Sequence, residues 1–586
     1  MFSKVLIANR GEIAVRIIRA CQELGIKTVA IYTEADREGR HVQLADQAYS
    51  LGTDTYLSTA AIFAIAERAG ADAVHPGYGF LAENEPFARE CRERGLKWIG
   101  PNPAAIGLMG SKTVARRMAI EANVPVVPGI TEALTDPEVA LSFAAKHGYP
   151  CVIKAAAGGG GRGMQVVHAP EEFEAAIAKG IREGEAYFGS GEVYIERYLG
   201  KPRHIEIQIL CDAHGNAIAL GERECTIQRR HQKLVEEAPS VALTPELRRA
   251  MGEAAVRMAK AVGYDSAGTC EFLFQDGEFY FLEMNTRIQV EHTVTEMVYG
   301  VDLVKEQIQI AAGEPVAEWL LGDLYPRGWS LECRVNAEDP SQNFRPSPGL
   351  ITRYRRPGGL GVRIDDAVYS GYRIPDQYDS MIAKVITWGK DRSEAIARMK
   401  RALKEMIVEG VPTTIPLHLA ILDHPAFVSG DLSTHFIGQE MTKEDLAKLA
   451  APAIDPLAAV PAGDEPRERG TERLFEVVVN RELFAVTVSE IGGQATLTAV
   501  KPKRPGASRS ATAAAASGSL TAPMHATVSR VNVELGQTVT AGTPLVVLEA
   551  MKMETEITAP ADGTVVELNV KPGQTVEGGQ VLAVVK

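Results

Sequence analysis

Two apolar periods take turns along the first hundred residues. Val5-Leu6-Ile7-Ala8 is a short continuous apolar run, the mark of a buried strand. Ile13, Val15, Ile17 and Ile18 recur as on a helix, and Thr28-Val29-Ala30-Ile31-Tyr32 is a second strand. A strand–helix–strand start predicts a parallel sheet. His75-Pro76-Gly77-Tyr78-Gly79-Phe80 follows as a loop at a strand end. It reads equally as a ligand loop or as a turn whose glycines serve backbone geometry. Beyond a helical stretch holding Lys112 and a Pro-rich connector at 125–128, Val152-Ile153-Lys154-Ala155 predicts a strand that runs into Gly158-Gly159-Gly160-Gly161. Gly268-Thr269-Cys270-Glu271-Phe272-Leu273-Phe274 and Phe279-Tyr280-Phe281-Leu282-Glu283-Met284-Asn285 predict neighbouring strands. A period of two puts Glu283 and Asn285 on one face, with Glu271 beside them and Arg287, Gln289 and Glu291 continuing the alternation.

From about Ala447 to Gly470 the periodicity stops and Ala, Pro, Asp and Glu dominate, as in a linker. Phe475–Val479 and Leu483–Val488 flank Asn480-Arg481-Glu482 as a hairpin, and Lys501–Ser519 is a second linker. The last segment is written twice. Ala522-Pro523-Met524-His525-Ala526-Thr527-Val528 is answered 37 positions later by Ala559-Pro560-Ala561-Asp562-Gly563-Thr564-Val565, Gly536 by Gly573 and Gly542 by Gly579. Two copies of short β runs and Gly turns predict a small two-fold sandwich, with Glu549-Ala550-Met551-Lys552-Met553-Glu554 at a hairpin tip between them.

At 586 residues the chain exceeds one core, and three or four domains are expected. A net charge of −13 argues against a nucleic-acid surface, although Arg229-Arg230-His231-Gln232-Lys233 can hold small anions. Seven scattered cysteines without metal-type spacing predict reduced thiols, and no run approaches a spanning helix. A cytoplasmic enzyme without membrane contact is the expectation.

A strand ending in lysine before four glycines suits a phosphate cover, because bare backbone can bring several N–H groups close to a polyphosphate. It is not a Walker loop, and Asn9-Arg10-Gly11-Glu12 is not a dinucleotide fingerprint. Glu271, Glu283 and Asn285 offer the hard oxygen donors that Mg²⁺ takes. Arg287, Gln289 and Glu291 offer a cation, an amide and a base to a small anion.

Residues 1–445, with the stretches Asn9–Ala14, His75–Gly79, the four glycines, Arg229–Lys233, Glu283–Glu291 and Glu332–Pro340, resemble the biotin carboxylase module of biotin-dependent carboxylases, an ATP-grasp enzyme. The Ala-Met-Lys-Met run resembles a biotinyl carrier domain, whereas lipoyl domains usually carry an acidic residue before their lysine. The resemblance implies an α/β N-terminal domain at 1–112, an ATP-grasp domain at 113–328 and an α+β C-terminal lobe at 329–445. It further implies a linker with a short hairpin, a candidate partner-docking element, at 446–519, and an all-β barrel-sandwich carrier at 520–586.

By the same resemblance Lys112, Lys154, Gly159, Gly160, Gly161 and His204 contact ATP, with Glu196, Leu199, Gln228 and His231 around the nucleotide. Glu271, Glu283 and Asn285 hold Mg²⁺ or Mn²⁺, while Lys233, Arg287, Gln289 and Val290 bind bicarbonate. Glu291 is the implied base, Arg334 the stabiliser of the biotin enolate, and Lys552 the biotin attachment site. Two departures stand out: Thr293 where proline is frequent, expected to loosen the turn beyond the base, and His525-Ala526 for the common Pro-Gly.

Residues 445–520 are too few and too polar for a carboxyltransferase, so the second half-reaction is expected on a β-subunit partner. The linker Lys501–Ser519 could stretch to roughly 65 Å, enough to swing a carrier between sites. The pattern resembles the α subunit of bacterial acetyl- or propionyl-CoA carboxylases, as in fatty acid biosynthesis, loaded by a biotin protein ligase and homo-oligomeric within a larger complex. A component of pyruvate or 2-oxoglutarate carboxylase would share every motif, and a non-catalytic biotin carrier is the reading of another class.

Overall fold

A computed structural model describes residues 1–130, 134, 136–155, 164–188, 191–449, 472–479, 482–489, 519–522, 526–550 and 553–586. The glycine run, residues 450–470 and 501–518 of the two linkers, the Asn480-Arg481 turn, His525 and Lys552 lie outside the described residues.

The apolar run at the start forms β1 (Lys4–Ile7), followed by α1 (Gly11–Glu23), β2 (Lys27–Tyr32), β3 (Gln47–Ser50), β4 (Ala73–His75) and β5 (Lys97–Trp98). These strands make one parallel sheet in the order β3-β2-β1-β4-β5. Ile13, Ile17 and Ile18 of α1 pack with Val5 and Ile7, and the same core takes in Val294, Val298, Leu303 and Ile308 from the central region. The N-terminal layer is thereby fixed against the elements that carry the site. In the loop after β4, Asn9 donates to Pro76 O and Tyr78 O, both at 2.7 Å. Gly77 has φ +64°, and a Cβ there would lie 2.9 Å from Asn9 Nδ2. Backbone geometry thus accounts for this glycine.

A small antiparallel sheet of β6 (Gly129–Ile130), β7 (Cys151–Ala155), β8 (Met164–Val167) and β9 (Val193–Arg197) runs in the order β6-β9-β7-β8. The largest sheet is built on β10 (Arg203–Cys211), β11 (Ala217–Arg229), β12 (Gln232–Ala238), β13 (Ala267–Gln275), β14 (Glu278–Asn285) and β15 (Trp329–Asn336), completed by strands Met381–Gly389 and Val362–Asp366. All eight are antiparallel to their neighbours. The sheet crosses the boundary expected at 328/329 without a break, because β12 pairs with β15 through Val235↔Cys333 and Glu236↔Glu332. One side of its first part packs on helix Pro245–Ala261 through Ile205, Ile207, Ile209, Met251, Ala255 and Met258. In the C-terminal lobe Leu331, Val335 and Val385 pack with Met399 and Leu403 of helix Arg392–Glu405.

The expected hairpin is present as Glu472–Val479 paired with Glu482–Ser489. In the duplicated segment two four-stranded sheets form, and each strand of the first copy pairs with one of the second. Ser519–Thr521 pairs with Val581–Val585, Ala526–Val531 with Thr575–Val576, Thr538–Val539 with Gly563–Leu568, and Pro544–Ala550 with Met553–Thr558. The repeat is conformational as well as textual: Gly536 and Gly573 have φ +87° and +82°, Gly542 and Gly579 +85° and +86°. All seven cysteines are free and buried. No described helix is long and apolar enough to cross a membrane.

Candidate active site

The polar face of the large sheet converges on Lys233, near the start of β12. Its ammonium donates to Glu206 Oε2 at 2.6 Å, Glu271 Oε1 at 2.9 Å and Glu291 Oε1 at 2.5 Å. These residues come from β10, β13 and the turn before helix His292–Tyr299. The pairing Glu206↔Glu271 sets two of the carboxylates side by side. Burial alone would lower the lysine, but the three carboxylates outweigh it and hold its pKa well above the ordinary value. Glu271 responds oppositely: burial raises it, yet Lys233 and His204 hold it well below the usual carboxylate range. His204 Nε2 lies 3.0 Å from Glu271 Oε2.

Glu291 is 2% exposed. Its second oxygen accepts from Arg334 Nη2 at 2.8 Å, and Arg334 Nε donates to Glu236 Oε1 at 2.6 Å. Against the upward pull of burial, Lys233, Arg334 and Arg223 hold Glu291 well below its ordinary value. Glu236 goes the other way, pushed to about 8 by burial despite Arg334. Arg287 donates to Glu83 Oε2 at 2.9 Å and Asn285 Oδ1 at 3.0 Å. Gln289 donates to Glu271 Oε1 at 2.8 Å and accepts from Arg223 at 2.7 Å. The Val290 carbonyl accepts from Lys384 at 2.8 Å.

Beyond β14 the alternation of Arg287, Gln289 and Glu291 is not that of a strand: β14 ends at Asn285, and residues 286–291 form a loop into the helix. The chain leaves the sheet where the Thr286 N–H bonds to Glu83 Oε1 at 3.0 Å instead of to a neighbouring strand. Thr293 also differs from expectation. It is fully buried and its hydroxyl donates to Glu332, which ties the turn down.

The second cluster lies on the smaller sheet and its approaches. Lys154 on β7 donates to Glu196 Oε2 at 2.5 Å, and Arg116 donates to Glu196 Oε1 at 3.0 Å. Leu199 is buried against Val127 and Tyr280. Gln228 sits opposite Lys233 across β11–β12, and His231 takes a left-handed φ of 67° in the turn between them. Burial, followed by the charges of His204 and Lys112, holds His231 below its ordinary pKa. Lys112 itself is exposed at the start of helix Lys112–Glu121, whose first turn Ser111 caps through Val114 N–H.

Glu271 and Glu283 face each other across β13–β14, with Asn285 two residues on donating to Glu271 Oε1 at 2.9 Å. Burial and the neighbouring Glu271 charge push Glu283 up, a like-charge strain that a divalent cation would relieve. The oxygen donors of these three residues therefore fit Mg²⁺. His204, Glu206 and Glu271 also bring donor atoms within 4.8 Å of one another. A histidine nitrogen suits Mg²⁺ less well, which favours the all-oxygen set.

Sequence reasoning missed Glu206, Arg223, Glu236, Glu83 and Lys384. Glu206 had a signal, since His204, Glu206 and Gln208 alternate with the apolar Ile205, Ile207 and Ile209 along β10. Glu83 and Lys384 reach the site from far along the chain, and nothing local marks them.

A parallel α/β layer, a small antiparallel subdomain and a long antiparallel sheet that gathers cations and carboxylates on one face make up the ATP-grasp architecture. Comparisons with known proteins agree. Residues 1–106 match the family "Biotin carboxylase, N-terminal domain", 111–319 "Carbamoyl-phosphate synthase L chain, ATP binding domain", 332–439 "Biotin carboxylase C-terminal domain" and 518–585 "Biotin-requiring enzyme". Biotin carboxylase 1 of Bacillus subtilis is 56% identical over 443 residues, covering 75% of this chain and 98% of its own. A pyruvate carboxylase subunit from Methanothermobacter thermautotrophicus is 54% identical over 75% of this chain and 90% of its own. The biotin carboxylase domain of Hydrogenobacter thermophilus 2-oxoglutarate carboxylase, crystallised with MgADP and bicarbonate, is 50% identical over 75% of this chain and 98% of its own, with a TM-score of 0.69. The chain belongs to the biotin carboxylase family and joins a biotinyl carrier to the carboxylase on one polypeptide.

Proposed function

We propose that this chain carboxylates biotin carried on Lys552, at the expense of ATP and bicarbonate, as the α subunit of an acetyl- or propionyl-CoA carboxylase. The observation that carries the chemistry is the Lys233–Glu291–Arg334 cluster at 2.5 and 2.8 Å. In this reading Lys112, Lys154, Glu196, Leu199, His204, Gln228 and His231 surround the nucleotide, with the glycines at 159–161 over its phosphates. Glu271, Glu283 and Asn285 hold Mg²⁺ or Mn²⁺, which supplies charge neutralisation for the phosphates when bound.

Lys233, Arg287, Gln289 and the Val290 backbone bind bicarbonate, and Glu291 takes its proton. A carboxylate held so far below its ordinary range is a poor base at rest. Anionic substrates change that balance: bicarbonate and phosphate compete for Lys233 and Arg334, and each cation drawn off lets the Glu291 carboxyl rise towards a useful range. Arg334 then presents its guanidinium to the oxygen that gains negative charge as the carboxyl group is transferred.

The acyl-CoA acceptor rests on the resemblance of the whole pattern to the α subunit of bacterial acetyl- or propionyl-CoA carboxylases. Transfer to the acceptor on a separate β subunit is part of this reading, with the hairpin Glu472–Val479/Glu482–Ser489 as a candidate dock for it. A component of pyruvate or 2-oxoglutarate carboxylase is the second reading, favoured by the names of the relatives above.

Labelled bicarbonate supplied to the biotinylated chain with its native carboxyltransferase, and with acetyl-CoA, propionyl-CoA, pyruvate or 2-oxoglutarate, tests the two. Label fixed only on a 2-oxo acid would overturn the acyl-CoA assignment. Absence of bicarbonate- and biotin-dependent ATP cleavage by the isolated, metal-supplied chain would leave the non-catalytic carrier.

A further inference from the structure

Arg223 lies at the centre of β11 and is completely buried. A guanidinium has five N–H donors and no acceptor, and here each donor has its own oxygen. Nε donates to Glu206 Oε1 at 2.5 Å, and Nη1 to Gln208 Oε1 at 2.6 Å and Thr295 Oγ1 at 3.0 Å. Nη2 donates to Thr269 Oγ1 at 3.0 Å and Gln289 Oε1 at 2.7 Å. The planar fork is therefore held from two neighbouring strands, β10 and β13, and from helix His292–Tyr299, and its last arm points at one amide.

That amide has two orientations of nearly the same shape, and its partners decide between them. With Oε1 taken by Arg223, the Gln289 NH₂ must face the other way, where it donates to Glu271 Oε1 at 2.8 Å. Gln289 is 3% exposed, so water does not compete for the choice. The charged oxygens of a bound bicarbonate only accept hydrogen bonds, and its single O–H is the one that Glu291 takes in the reading above. The observed orientation offers it the second N–H, whereas the flipped one would set an amide oxygen against both the anion and Glu271.

We infer that Arg223 is a positioning residue that locks the Gln289 amide with its N–H₂ group towards the bicarbonate site. This rests on the reading of Gln289 as a bicarbonate ligand. The bland alternative is that Arg223 only ties strands together, in which case it affects stability and turnover generally but has no particular link to Gln289.

The two are separated by bicarbonate-dependent ATP cleavage of the full chain with free biotin, fitted separately for the KM of bicarbonate and of ATP. Arg223→Lys keeps the charge and loses the fork. It is expected to raise the bicarbonate KM about tenfold, the loss of roughly one charge-assisted hydrogen bond, and to leave the ATP KM unchanged. Gln289→Ala should raise the same KM, and the double variant should be no worse than Gln289→Ala, since a lock without its amide has nothing to hold. Gln289→Glu keeps an acceptor for Arg223 but turns a carboxylate to the anion, so its bicarbonate KM should exceed that of Gln289→Ala. Where Arg223→Lys does not fold, Thr295→Val removes a single tether and should raise the bicarbonate KM by a smaller factor.

Effects of Arg223→Lys and Gln289→Ala that multiply would overturn the lock. So would a bicarbonate KM unmoved by both Arg223→Lys and Thr295→Val. A bicarbonate KM unmoved by Gln289→Ala would overturn the bicarbonate-site reading itself, and the lock with it.

Discussion

Lys384 offers a sharp test of how charge is stored behind the site. It stands between Arg334 and Asp365 on adjacent strands, is fully buried, donates to Val290 O at 2.8 Å and lies 3.3 Å from Glu12 Oε2 on α1. Burial pushes Glu12 up to about 7 even beside this cation, and Glu332 likewise to about 7. Lys384→Met keeps the length of the side chain and removes the charge. Losing the charge-assisted bond to Val290 costs about 1.5–3 kcal/mol. At a pH where Glu12 is ionised, the orphaned carboxylate brings the total to about 3–5 kcal/mol. The sign follows from the raised folded pKa. Such an acid contributes stability that is fully present below its unfolded value and lost as pH rises through the folded one. Without Lys384 the folded value of Glu12 climbs further, so the deficit of the variant should grow from about pH 6 to about pH 8. Adding Glu12→Gln should remove most of that growth, with the remainder coming from Glu332. Thermal melting of the full chain at both pH values reads the comparison directly; because several domains unfold, melting shifts are compared and no single unfolding free energy is assumed. A deficit that is the same at both pH values, or single-variant deficits that simply add in the double variant, would refute this account of the pair.

Three further outcomes are expected. Glu291→Gln should slow bicarbonate-dependent ATP cleavage about 10²- to 10⁴-fold; a rate within tenfold of the parent removes Glu291 as the base. Glu283→Gln should raise the Mg²⁺ concentration needed for half-maximal activity, while Glu278→Gln, exposed on the same strand, should not; equal titrations would sink the oxygen-ligand assignment. Lys552→Ala should abolish the biotin mass increment and transfer to the carboxyltransferase while free biotin is still carboxylated; an increment that survives would place the attachment elsewhere.

Much of this arrangement was legible because local period and spacing encode it. The run at Val5–Ala8 and the helical spacing of Ile13, Ile17 and Ile18 gave the parallel layer, and the 37-residue offset gave the two-fold tail. Period two placed Glu283 and Asn285 together, and the register Glu271↔Glu283 supplied their neighbour as expected. The same logic failed beyond Asn285, where alternating polar residues continued but a side chain 203 positions away, Glu83, captured the Thr286 N–H and ended the strand. Arg223 and Lys384 were illegible for a related reason. Lys384 is a single charge in an apolar strand and Arg223 lies between Glu222 and Glu224; both take their meaning from partners in distant segments, and a single sequence carries no record of who meets whom.

The duplicated tail has a consequence for when it becomes a substrate for modification. The hairpin Pro544–Ala550/Met553–Thr558 is contiguous in the chain, yet the sheet opposite it needs Val581–Val585, which pairs with both Ser519–Thr521 and Gly563–Leu568. A chain cut anywhere between 558 and 581 would keep the lysine and its flanking methionines while losing the strand that closes the sandwich. Recognition by a ligase that reads a folded hairpin would therefore be all-or-none. On the reading that Lys552 carries biotin, a truncated tail is expected to stay unlabelled although every residue around Lys552 is intact, so the label would report a carrier that had closed.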